Sequence, residues 1–409
     1  RHCRAGAGSR LASPAFLFYS AFLFYSAHAM SAFSSALRRL CFGLICVPLA
    51  AILAFFVITP SPVDPIKREF APCSTPLGGA LKPNQLLATQ SRVFGEDVLI
   101  GPEGQACDAN GRSAVAGSID GKIFKVFAEN STVALVFETG GRPLGVAVDR
   151  EGIIWACVVA KGLVRIDLAA NTLEVVIPLG NHSLQYPNDL AISSDGIIYF
   201  TDCSQHRPQL IDGRWGTMLG YKYEWFEGKK TGRLLSYNIA SGEVQTLYTG
   251  FSYANGVALS SKEDYVVIGE TCLRRVWRYW LKGPKIGTAE VLLSDIPGYI
   301  DNVRLAMPAK GDRFWLGIHG LPSSLEFLFD YPFIIKQIAK LPPRFHPHMN
   351  PYGLAIEMTV IDEGAQITDS LHDPSGKVIP TVATVCECDG VLYIGTLTGK
   401  GIHVIDRRP

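Results

Sequence analysis

Five oxygen-bearing side chains, Glu103, Asn188, Asn255, Asp301 and Asn302, lie far apart in this chain but hold equivalent places in a repeated unit. The unit is clearest in YPNDLAISSDGIIYFTD, Tyr186 to Asp202: a polar residue opens a short apolar strand, SSDG makes a turn, and a second alternating strand follows, the pattern of a β-hairpin. Variants begin at Gly101, Pro143, Ala254, Asp301 and Pro380. Carboxylates move protons and amide oxygens accept hydrogen bonds, so bringing these residues together would make a polar site. Singly, N-D, N-G and D-N are ordinary turn dipeptides. Their shared position in the repeat is what gives them meaning.

A hairpin cannot bury both its faces, so each copy needs further strands and neighbours. Third strands such as GKIFKV from Gly121 and GRLLSYNI from Gly232, and a fourth such as VQTLYTG, supply the rest of a sheet. Six copies at long, uneven spacing predict an all-β fold, a six-bladed β-propeller of four-stranded antiparallel blades over about residues 92–409. The strand starting at Arg92 is expected to close the ring by completing the last sheet. Each blade's first strand then lines the axis, and Glu103, Leu144, Asn188, Asn255, Asp301 with Asn302, and Thr381 should converge at the channel mouth. Two long excursions, Cys203 to Lys230 and His319 to Tyr352, either cover that mouth or pack on blade edges. Little helix is expected outside the N-terminal anchor and Ser323 to Leu341.

Charged residues are 18% of the chain and the formal net charge is +1, which argues against nucleic acid or a polyanionic substrate. Residues 1–39 form an N-terminal segment. Within it, FLFYSA repeats in tandem and the chain starts at Arg1, so 1–29 reads as an artefact upstream of Met30 or as a signal peptide with Arg1, Arg4 and Arg10 at its head. Residues 40–59 are uncharged and follow Arg38 and Arg39, which predicts a transmembrane signal anchor with a cytoplasmic N-terminus and a Pro-rich linker over 60–91. This is the type II arrangement, with the propeller lumenal or extracellular, in the endoplasmic reticulum, vacuole or plasma membrane. The sequons at Asn130 and Asn181 agree with glycosylation there. Cys157, Cys272, Cys386 and Cys388 fall in strand-like runs and read as buried free thiols, and C-x-C has no second pair at zinc spacing.

YPNDLAI, TGRLLSYN, YANGVALS, YWLKGPKIGTAEVLLSDIPGYIDNVR, SLHDPSG and DGVLYIGTL resemble the strictosidine synthase-like family, in particular its membrane-anchored members, from about Phe94 to Asp406. The wider superfamily includes paraoxonase and regucalcin and is a six-bladed propeller with calcium at its axis. Matched motif by motif, the resemblance implies Glu103, Asn188, Asn255, Asp301 and Asn302 as Ca2+ ligands.

The family's catalytic groups carry over incompletely. The carboxylate that strictosidine synthase places before its D-G-x-L-Y-I-G-T motif is Ala383 here, and the paraoxonase histidine is Leu144, so condensation of an amine with an aldehyde is not expected. His319, Asp189 and Asp301 survive as candidate catalytic groups. Two function classes follow: a calcium-dependent hydrolase of small uncharged esters or lactones, arylesterase-like, or a non-catalytic membrane-tethered propeller with structural calcium that binds a partner.

Overall fold

The computed structural model describes residues 35–67, 76–307 and 311–408, with side chains from 42 onward. The chain divides into two compact units, Arg1–Ser61 and Pro62–Pro409. Among the described residues of the first unit is one helix, Ser35–Ile58, which contains most of the uncharged run. Its described side chains are largely exposed and apolar, including Phe42, Leu44, Ile45 and Val47. No helix among the described residues is long and apolar enough to cross a membrane. The tandem FLFYSA repeat, Met30 and the signal-like features lie outside the described residues.

Among its described residues the second unit contains six four-stranded antiparallel sheets, five of them running in chain order from the first strand outward. In chain order, blades 1 to 6 begin with strands Gln105–Cys107, Pro143–Val148, Pro187–Ile192, Ala254–Leu259, Tyr299–Leu305 and Val385–Cys388. Blade 6 takes its outermost strand from the start of the domain: Arg92, Val93 and Phe94 pair with Val404, His403 and Ile402. The burial pattern explains the architecture. Second strands such as Ile154–Val158 and Tyr265–Glu270 are buried at every position, whereas the outer strand Thr132–Glu138 shows mostly exposed residues. Strands buried on both faces need a neighbouring sheet on each side.

Those neighbours meet in six apolar clusters, one in each gap between adjacent blades. Trp155, Leu163, Leu190 and Phe200 fill the gap between blades 2 and 3, for example, while Phe94, Phe124, Tyr393 and Val404 fill the closing gap between 6 and 1. Val267, Val276, Phe314 and Ile356 do the same between 4 and 5. Each blade therefore stabilises two interfaces, and an open ring would expose two apolar faces to water.

Two expectations are corrected. Cys388 is not a free thiol: it forms a disulfide with Cys107, joining the first strands of blades 6 and 1 across 281 residues of sequence. Cys157, Cys203, Cys272 and Cys386 are buried and not joined in disulfides. A cross-link that spans nearly the whole ring removes much of the unfolded chain's freedom, so Cys107→Ser should cost about 2–5 kcal/mol in guanidinium denaturation; an unchanged midpoint would show that the blade interfaces alone hold the ring shut. The second correction is a ten-residue helix, Met218–Glu227, in the first excursion, where no element was expected. Gly228, at φ 71°, ends it in the left-handed conformation and donates its N–H to Glu224 O.

Candidate functional site at the channel mouth

The first strands of blades 2 to 5 share one irregularity. Pairing with the second strand skips two residues at the same place in each: Leu144–Gly145, Asn188–Asp189, Asn255–Gly256 and Asp301–Asn302. A bulge of this kind frees a residue from the ladder and re-aims its side chain. The expected ligand positions of blades 3, 4 and 5 are the bulged residues. Glycine follows Glu103 and Asn255 for a steric reason. A Cβ on Gly104 would lie 1.8 Å from Leu144 O, and one on Gly256 would lie 2.2 Å from Val303 N, so neighbouring inner strands could not approach this closely with any side chain there.

The structure then orients the amides. Asn255 Nδ2 donates to Thr271 Oγ1 at 3.2 Å, and Asn302 Nδ2 donates to Thr384 Oγ1 at 2.8 Å. Each amide is thus tethered by its nitrogen, which leaves its oxygen to face the site. Asn188 Oδ1, Asn255 Oδ1, Asn302 Oδ1 and Asp301 Oδ2 are all buried without a hydrogen-bond partner. Four such oxygens from three adjacent blades would be a serious desolvation cost in a finished core. Asn255 also lies within hydrogen-bonding reach of the Asp301 carboxyl, and the charges of Glu103 and Asp189 act on Asp301. Burial first, and the Glu103 carboxylate next, hold the Asp301 pKa well above the ordinary carboxylate range. Burial also raises that of Glu103, against the pull of Arg142, whose Nη2 lies 2.6 Å from Glu103 Oε2. Four hard oxygens without partners, with the Glu103 carboxylate acting on Asp301, are the kind of donor set a calcium ion takes. The residues fit the metal that the resemblance implies.

The threonines were not singled out in the sequence. Besides holding the amides, Thr201 Oγ1 donates to Asn255 O at 2.6 Å, Thr271 Oγ1 to Ile300 O at 2.7 Å and Thr384 Oγ1 to Glu103 O at 2.6 Å. Each reaches from one blade to the backbone of the next at a candidate ligand. Three tyrosines were also missed. Tyr186, Tyr253 and Tyr299 stand two residues before Asn188, Asn255 and Asp301, and the signal was a thrice-repeated Y-x-[ND].

Over these tyrosines lies the helix Met218–Glu227. Tyr221 packs against Tyr253 at 5.4 Å, Tyr299 at 6.3 Å and His319 at 5.1 Å between ring centroids. Trp225 meets Phe329 of the second excursion at 4.3 Å. Both excursions therefore cover the mouth, and with Leu144 they form one buried apolar cluster there. Beside that cluster is a cavity of about 310 Å³ with His319 and Thr381 in its wall.

His319 is 4% exposed, and neither ring nitrogen has a hydrogen-bond partner. Its Nδ1 lies 3.9 Å from Asp301 Oδ2. Burial pushes its pKa down to about 3, so the imidazole is neutral at physiological pH. Asp189 is placed differently from expectation. Arg304 donates to it through Nη1 at 2.6 Å and Nη2 at 2.9 Å, and Val257 N donates at 2.9 Å. With both oxygens engaged, Asp189 is a clamp between blades 3, 4 and 5 rather than a base. Ala383 is fully buried and its carbonyl accepts from Asn302 N, so no carboxylate stands at that position.

Residues 188–284 match the family model described as strictosidine synthase. Among curated proteins, adipocyte plasma membrane-associated protein of Homo sapiens is 31% identical over 395 residues, covering 90% of this chain and 89% of its own. The chain belongs to the strictosidine synthase-like family. The Rattus norvegicus adipocyte protein is 32% identical over 385 residues, covering 87% of this chain and 96% of its own; strictosidine synthase-like 13 of Arabidopsis thaliana is 27% identical over 405 residues, covering 88% and 94%. Among solved structures, a gluconolactonase from Xanthomonas campestris superposes with TM-score 0.54 at 16% identity, covering 86% of this chain and 97% of that one. A calcium-binding regucalcin from Agrobacterium tumefaciens gives TM-score 0.52 at 14% identity, covering 78% and 95%. At these identities the structural likeness speaks for the propeller fold.

Proposed function

We propose that this family member is a calcium-dependent hydrolase of small esters or lactones, held at a membrane through its N-terminal helix. The observation that carries the reading is the set of four unpartnered buried oxygens, on Asn188, Asn255, Asp301 and Asn302, next to the unpartnered ring of His319 and a cavity. Glu103 completes the ligand set. Calcium held there would polarise a substrate carbonyl as a Lewis acid. The chain's own groups handle the proton: Asp301, giving one carboxylate oxygen to the metal and the other to the water, accepts it from the attacking water and returns it to the leaving oxygen as the acyl C–O bond breaks. Neutral His319 borders both the cavity and Asp301, where its ring orients water or substrate. The lid aromatics exclude bulk water, and Leu144 adds an apolar wall suited to an uncharged reacting carbonyl. Related structures that are gluconolactonases and a calcium-binding regucalcin support the same reading.

Hydrolysis of phenyl acetate and a δ-lactone, followed with calcium and then with a chelator while circular dichroism monitors the fold, tests the proposal. Turnover lost with the metal and regained on its return supports it. No turnover in a calcium-loaded, folded protein would leave a partner-binding propeller with structural calcium. Condensation of tryptamine with secologanin should yield no product, since Ala383 offers no base for the amine; robust product would contradict this assignment.

Membrane attachment rests on the uncharged run 40–59, the exposed apolar side chains of its helix and the relatives' description as plasma membrane-associated. Arg38 and Arg39 before the run favour a lumenal or extracellular propeller by the positive-inside rule. Asn130 and Asn181 are both exposed, as glycan acceptors must be. Endoglycosidase should therefore increase the gel mobility of protein expressed in a eukaryotic cell. Unchanged mobility would remove the main support for that topology.

A further inference from the structure

The cavity beside His319 carries a charge that the hydrolase reading does not use. On the helix Met218–Glu227, residues 218, 221, 222 and 225 recur at the spacing of one helical face, and all four line the cavity. Three are Met218, Tyr221 and Trp225, apolar or aromatic; the fourth is Lys222. Its ammonium is partly buried, and burial lowers its pKa. Its hydrogen-bond partner is His348 Nδ1 at 3.4 Å. His348 Nε2 donates to Arg344 O, which makes Nδ1 a neutral acceptor rather than an anion. No carboxylate lines the cavity, and among the described residues Lys222 forms no ion pair. A cavity-lining ammonium without a counter-charge among its neighbours is a ready partner for an anion from outside.

We propose that Lys222 is a specificity determinant, and that the cavity takes substrates whose acyl part carries a carboxylate. The anion sits on Lys222 while the uncharged scissile carbonyl faces His319 and Asp301. At about 310 Å³ the cavity is at the small end of ligand pockets, which suits a short dicarboxylic monoester or an acid-bearing lactone. This rests on the hydrolase reading above, and it narrows the substrate from a neutral molecule to a monoanion that is neutral at its reacting end. Lys222 acts by binding, so its removal should appear in KM more than in kcat.

Two esters of matched length test it: mono-4-nitrophenyl glutarate, which ends in a carboxylate, and 4-nitrophenyl valerate, which ends in a methyl group. The wild-type kcat/KM should favour the glutarate ester by about tenfold or more, as a charge-assisted hydrogen bond to a partly buried ammonium warrants. Lys222→Met should bring the ratio close to one, and Lys222→Arg should keep most of it. Binding of free glutarate, measured by calorimetry on the calcium-loaded protein, separates the two claims. Turnover of both esters with no preference, or a preference that survives Lys222→Met, overturns the inference and leaves the hydrolase standing. Glutarate that binds the wild type but not Lys222→Met, without turnover of either ester, upholds the anion site and overturns the hydrolase. Neither binding nor turnover overturns both.

Discussion

Asp301→Asn should abolish most ester hydrolysis and, in the absence of calcium, make the protein more stable. The loss follows from the place of Asp301, 2% exposed, with Oδ2 unpartnered 3.9 Å from His319 Nδ1. Removing a general base costs about 10²–10⁴-fold in rate, and calcium affinity should fall with the lost carboxylate. The gain in stability follows from the same burial. Without the metal, burial and the Glu103 charge raise the Asp301 pKa in the folded protein, so the folded state holds a proton that the unfolded state gives up near 3.8. Where the native state binds more protons, stability falls as pH rises from 3.8 through the raised folded value. Asp301→Asn cannot ionise and should flatten this decline, so the chelated variant at neutral pH should unfold at higher denaturant than the chelated wild type. With calcium present the order should reverse, because the metal stabilises only a folded state that can hold it. A variant that is less stable under both conditions would mean that Asp301 serves the fold rather than the site.

The second large effect concerns the clamp below the site. Arg304→Met should destabilise the domain by about 3–5 kcal/mol, because it leaves the fully buried Asp189 carboxylate without its cation. Arg304 also donates to Gln105 O at 2.9 Å, so the same side chain ties blade 1 to the clamp of blades 3, 4 and 5. Asp189→Asn combined with Arg304→Met removes both charges and should recover part of the loss. The cycle measured by urea denaturation should therefore show coupling well above that of a surface pair, which is about 0–1 kcal/mol. Additive effects of the two changes would show that the pair contributes no more than its individual contacts.

The contrast between Asp189 and Asp301 shows where the sequence is informative. Both follow the repeat and both lie in a bulge, so both look like site carboxylates from the chain alone. Only the fold reveals that one meets an arginine from two blades away and the other keeps a carboxylate oxygen without a hydrogen-bond partner. The blade count was legible because hairpin patterning is local, and the bulged positions of blades 3, 4 and 5 were legible because each occupies the same step of that pattern. The closing strand at Arg92 was legible for the same reason, since a lone alternating strand before the first hairpin has only the last sheet to join. The Cys107–Cys388 bond was not, since ring closure brings together residues 281 apart and C-x-C offers two equal candidates. The lid helix was hidden among aromatics that could equally cover the mouth or pack on blade edges, although Met218, Tyr221, Lys222 and Trp225 already carried helical spacing. The tyrosines before the ligands carried the same information as the ligands themselves. They pass as ordinary strand residues until Tyr221 is seen resting on two of them.

Calorimetric titration of calcium into the purified, chelator-stripped domain tests the central claim most directly, with Asn188→Ala and Asn255→Ala combined as the control. The account predicts a saturable site in the wild type whose binding releases protons and weakens as pH falls, because Asp301 and Glu103 must ionise to hold the metal. It predicts that this heat disappears in the double variant while the fold remains. Absence of binding in the wild type, or binding that survives loss of both amides, would contradict the assignment of these oxygens as calcium ligands.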